Sequence, residues 1–101
     1  MSVTTRTDIK GISRFLFTEG TDADRLHLHV SEVGPGQRAH PPHRHDGWEI
    51  FFVIKGNGEV LYGDQTHPVN TGEAMHLECS ILHGIKNIGD GPLQYAVIIR
   101  K

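Results

Sequence analysis

A chain of 101 residues with a formal charge of −2 and a pI near 6.4 is one domain's length, without the basic excess that nucleic acid or an anionic membrane selects. Its hydrophobic fraction of 37%, with 12 glycines besides, lies in the globular range, and no apolar run approaches a membrane span. Cys79 is the only cysteine, which excludes an internal disulfide framework and a thiolate metal cluster, so any metal is expected on histidine and carboxylate. The polar opening from Met1 to Lys10 has no signal-peptide core, and the expectation is a cytoplasmic single domain over residues 1–101 with neither nucleic acid nor membrane as partner.

Glycine and proline punctuate the chain roughly every ten residues, the rhythm of an all-β protein. Arg14 to Phe17 is a first short strand candidate. In Arg25 to Val33, Leu26, Leu28 and Val30 alternate as in a strand, whereas Leu26, Val30 and Val33 also fit helical spacing. A strand is expected, because Gly34-Pro35-Gly36 closes the window and no second helix is available to pack on it. Glu49 to Lys55 is the clearest strand, rich in β-branched and aromatic residues, and a Gly56-Asn57-Gly58 turn into Glu59 to Tyr62 predicts a hairpin. His67, just before Pro68, reads as a solvated turn residue. Ala74 to Glu78 and His83 to Asn87 are shorter strands, and Leu93 to Ile99 follows the turn at Gly89 to Pro92. Several short strands without a helix imply a sandwich or small barrel.

The strand Glu49 to Lys55 is apolar on both faces, with Phe51 and Val53 on one and Ile50, Phe52 and Ile54 on the other. One face fills the barrel; the second calls for another sheet or another subunit. A chain this short buries only about 65% of its unfolded surface, which also favours a homodimer.

The eight histidines are the outlying number in the composition. His43 and His45 stand at i and i+2, on one face of an extended segment, and Glu49 falls on the same face if strand parity holds. Imidazole nitrogen with carboxylate oxygen suits a borderline divalent ion such as iron, manganese, zinc, nickel or cobalt, without choosing among them. On spacing alone, solvated loop histidines and an ordinary strand charge are the commoner reading, and more than spacing is needed to overturn it.

The wider pattern resembles the cupin superfamily. Its first motif, a glycine-rich turn, His-x-His, three or four residues, Glu, six residues and Gly, is matched by Gly36, His43, His45, Glu49 and Gly56, with one extra residue before His43. Its second motif is matched by Gly72, His83 and Asn87, while Glu78 and Ser80 stand where the family has Pro and Gly. The resemblance covers about residues 25 to 100. It implies a cupin-type antiparallel β-barrel, a double-stranded β-helix or jelly roll, with one divalent metal ion per subunit on His43, His45, Glu49 and His83. It also implies metal-dependent chemistry on a small oxygen-bearing molecule, of dioxygenase, isomerase, lyase or decarboxylase type; the alternative is a non-catalytic binding or sensing module. Glu49 and His40, which adjoins the cluster, are the candidate proton-transfer residues. His27, His29, Arg38, Tyr62 and Tyr95 are left as cavity lining or polar rim. Cys79 is read as a small buried or turn residue, and Trp48 as packing.

Overall fold

The computed structural model describes the backbone strands at residues 3–9 and 12–17 and the whole of residues 25–101. Among the described residues nine strands follow in chain order: β1 Val3–Ile9, β2 Ile12–Phe17, β3 Leu26–Val33, β4 Trp48–Lys55, β5 Asn57–Tyr62, β6 Gln65–Asn70, β7 Ala74–Glu78, β8 His83–Asn87 and β9 Leu93–Arg100. They form a six-stranded sheet ordered β1-β2-β3-β9-β4-β7 and a three-stranded sheet ordered β6-β5-β8, every pairing antiparallel. The all-β expectation holds. Among the described residues no helix is long and apolar enough to cross a membrane.

The sheets pack face to face, and among the described residues the core between them is filled from β3 to β9. From β4 come Phe51 and Val53, from β9 Leu93, Tyr95 and Val97, from β5 and β8 Val60 and Ile85, all buried. Phe51 and Tyr95 meet edge to face, ring centroids 5.7 Å apart, the favoured geometry for two aromatic quadrupoles. The segment at 25–33 is the strand expected, its odd positions His29, Ser31 and Val33 inward and its even positions outward.

The hairpin expected between β4 and β5 does not form. β4 pairs with β7 and β9 in the large sheet, and β5 with β6 and β8 in the small one. Gly56 is the corner where the chain changes sheets: its φ is +95°, and a Cβ there would lie 2.5 Å from the Pro92 carbonyl oxygen. Only glycine satisfies both that backbone angle and that approach. His67 also departs from expectation: it is half-buried on β6, with Pro68 opposite Glu59. β6 is the edge of its sheet, where a missing N–H breaks no ladder bond.

Candidate metal centre

Strand parity carries Glu49 inward at the start of β4, beside Phe51, and leaves the residue 5% exposed. The loop from β3 to β4 delivers two imidazoles. His43 forms an isolated bridge to His83 on β8, each N–H donating to the other's carbonyl at 3.0 Å, and the His45 N–H donates to the Cys79 carbonyl at 2.9 Å. Pairing the loop to β8 puts the three rings together, their centroids 4.9 to 5.1 Å apart in every pairing.

Each ring is oriented by a backbone carbonyl. Nδ1 of His83 lies 2.8 Å from the Ile81 oxygen, Nδ1 of His45 2.9 Å from that of Asp46, and Nδ1 of His43 3.3 Å from that of Pro41. A carbonyl only accepts, so Nδ1 carries the hydrogen and Nε2 of the neutral ring presents a lone pair. His83 Nε2 is buried, finds no hydrogen-bond donor, and faces Glu49 Oε2 at 2.8 Å. Two acceptors at that distance repel unless a cation lies between them, either a proton or a metal ion. His45 Nε2 is 3.8 Å from the same oxygen.

The electrostatics agree. Burial, then repulsion from the other two rings, lowers the His43 pKa; burial first of all lowers that of His83. Burial raises the Glu49 pKa against the pull of His45, His43 and the Cys79 thiol. All three shifts follow from polar groups gathered where water is excluded.

Cys79 is the residue whose place sequence reasoning missed. It is buried and in a turn, as expected, but its Sγ lies 3.9 Å from Glu49 Oε2, and donor atoms of His45, Glu49, Cys79 and His83 all fall within 4.8 Å of one another. These four could hold a metal, so a cysteine adjoins the histidine–carboxylate set. Burial and the charges of Glu49 and Glu78 push its thiol up to about 12, which leaves it protonated and donating to the carboxylate. No signal in the sequence marks this, because the ladder in which the Cys79 N–H donates to the Gly47 carbonyl and the His45 N–H to the Cys79 carbonyl exists only in the assembled fold.

The cavity above the cluster has a volume of about 20 Å³, room for about one water, and opens to solvent, with His29, His40, His43, Glu49, Phe51 and Tyr95 on its wall. His29 is buried and lies 2.7 Å from His27, Nδ1 to Nε2. Arg38 is exposed and is not on the wall of this cavity. The Tyr62 hydroxyl accepts the Glu78 N–H at 2.9 Å, a structural role. Trp48 lies on the outer face, 44% exposed, with its ring against His76. Asn87 is buried and fully used within the fold, donating to the Val33 and Gly91 carbonyls and accepting the Gly89 N–H.

A family model described as a cupin domain matches residues 29–99. Auxin-binding protein 1 of Arabidopsis thaliana is 35% identical over 86 residues, covering 75% of this chain and 42% of its own length. Dimethylsulfoniopropionate lyase DddW of Ruegeria pomeroyi is 31% identical over 67 residues, covering 66% and 43%. The chain thus spans under half the length of these relatives. A Cupin 2 conserved barrel domain protein from Salinispora arenicola superposes with a TM-score of 0.79 at 19% identity, over 97% of this chain and 82% of that one.

Proposed function

The chain belongs to the cupin family, and on that footing we propose that it holds one divalent metal ion per subunit and uses it on a small oxygen-bearing molecule. The observation that carries this reading is the lone-pair pair at 2.8 Å, His83 Nε2 against Glu49 Oε2, in a buried site whose Nδ1 atoms are already committed to carbonyls. The donors in the proposal are His43, His45, Glu49 and His83, with the Cys79 sulfur beside them at 3.9 Å from Glu49 Oε2. Three neutral nitrogens and one carboxylate suit iron, manganese, zinc, nickel or cobalt and leave positions open. Bound there, the ion supplies Lewis acidity and, if it is iron, redox chemistry.

The protein's own groups do the rest. Phe51 and Tyr95 stand on the cavity wall, Glu49 accepts a proton beside the reacting centre, and His40 at the mouth serves as a second acid or base. Catalysis of dioxygenase, isomerase, lyase or decarboxylase type is the reading preferred. Similarity to a relative named as a lyase supports it, and similarity to one named for binding auxin favours a second, a non-catalytic small-molecule binder. We further propose that the protein is cytoplasmic and that it is a homodimer through its apolar outer face, on which Ile50, Phe52 and Ile54 lie.

The test is elemental analysis after reconstitution with each ion, followed by oxygen uptake and product analysis with diols, keto acids and phenols. Stoichiometric metal with turnover of a chelating compound is expected. Absence of metal under every condition overturns the reading, and metal with binding but no turnover favours the second one.

A further inference from the structure

The cavity wall carries a second imidazole outside the proposed ligand set, and its setting is unlike that of His40. His29 is 3% exposed, whereas His40 lies at the exposed mouth. His27 and His29 stand two residues apart on β3, so both point to the inner face, about 6.6 Å apart along the strand. At that spacing the two rings meet edge to face, with centroids 4.9 Å apart at 61°, and His27 Nε2 lies 2.7 Å from His29 Nδ1. Two lone pairs or two N–H groups at that distance would repel, so one hydrogen lies between these nitrogens. With Nδ1 so engaged, His29 has Nε2 to present to the cavity. His27, half-buried near the start of β3, has Nδ1 to present toward solvent.

We propose that His29 is an acid–base residue of this cavity and that His27 relays its proton to and from solvent. This rests on the catalytic reading above and adds the residue that carries the proton and the route that resets it. When His29 gives the proton on Nε2 to a bound molecule, the bridging hydrogen moves from His27 Nε2 to His29 Nδ1, and His27 takes a proton from water on Nδ1. One proton enters from solvent, one leaves into the cavity, and both rings end neutral in the other tautomer. Removing a proton from the bound molecule runs the same steps backward. The route matters because a buried imidazole must be reset in each turnover. A cavity of about 20 Å³ has no room for a chain of waters beside a bound molecule, so the proton passes through the wall instead. His40, being exposed, exchanges with solvent directly.

Two measurements on the full chain test this, with circular dichroism to confirm folding of each variant. The first needs no substrate: long-range proton–nitrogen NMR of the histidine-labelled protein with zinc present, at pH 8. The shifts of His27 Nε2 and His29 Nδ1 should be complementary, one hydrogen shared between them, whether it is fixed on one nitrogen or averaged over both. Both nitrogens bare, or both protonated, overturns the relay. The second uses whichever diol, keto acid or phenol the parent turns over. His29→Gln should lower kcat about a hundredfold. The amide in His27→Gln still donates to His29 Nδ1 and holds the ring, but passes no proton on. It should lower kcat about tenfold at unchanged KM, and free imidazole should restore the rate, which it would not do for a structural loss. His29→Gln as active as the parent overturns the acid–base role. His27→Gln as active as the parent, or a loss that imidazole does not move, overturns the relay and leaves the metal and the catalytic reading standing. Metal binding without turnover of any compound overturns the catalytic reading and the relay with it.

Discussion

Replacing Glu49 by Gln separates the two roles of the cluster. Without metal at pH 7 to 8, the buried carboxylate faces the His83 Nε2 lone pair at 2.8 Å, with only a thiol at 3.9 Å to relieve it. A Gln amide at the same place donates a hydrogen bond to that nitrogen and carries no charge. One hydrogen bond gained, with an acceptor conflict removed, is worth about 1–2 kcal/mol, or a rise of about 5–10 °C in Tm for a domain of this size. The sign with pH follows from the raised pKa of Glu49. A group whose folded pKa lies above its unfolded value binds its proton first in the folded state, so the penalty is full above the folded pKa and fades as pH falls through it. The Gln advantage should therefore shrink as pH falls through the raised folded pKa of Glu49 toward the ordinary carboxylate range, as Glu49 takes up the proton that bridges it to His83. With metal the order reverses, because an amide is a poorer ligand than a carboxylate, and the metal-induced rise in Tm should be smaller in the variant. Differential scanning calorimetry in chelator and in excess metal, at several pH values and fixed protein concentration, measures all of this. A metal-free Gln variant no more stable than the parent at pH 8 would refute the lone-pair argument.

His43→Ala should weaken metal binding by about two orders of magnitude, whereas Cys79→Ser should change it less than about fivefold; the reverse order, read by competitive chelator titration, would make Cys79 the ligand in place of His43. Since burial holds the His43 and His83 pKa values below 6.5, these rings stay neutral past the usual histidine midpoint on acidification. Metal should be retained through pH 6.5 and lost below about pH 6 in equilibrium dialysis, and retention to pH 4 would count against imidazole ligation. Gly56→Ala forces a Cβ within 2.5 Å of the Pro92 oxygen at a φ of +95° and should cost at least about 2 kcal/mol in urea unfolding, where a neutral result would deny Gly56 its role as the corner between sheets.

Local patterning in the chain determined much of this protein. Period-two alternation from Leu26 to Val30 and the apolar run in β4 define strands because side chains alternate across a pleat whatever the neighbours are. His43, His45, Glu49 and His83 were legible as a group because the family motifs carry them at matching spacing. What pairs with what was decided elsewhere. Whether β4 turns back on β5 or crosses to the other sheet depends on which strand edges are free to bond, and that is set by β7, β8 and β9, distant in sequence. β6 was hidden by Pro68, which reads as a strand breaker until the strand is known to be an edge. Cys79 carries no local sign of its neighbour. Only the ladder that ties it to His45 and Gly47 brings its sulfur beside Glu49, because burial and proximity are properties of the assembled sheets, and one-dimensional spacing encodes neither.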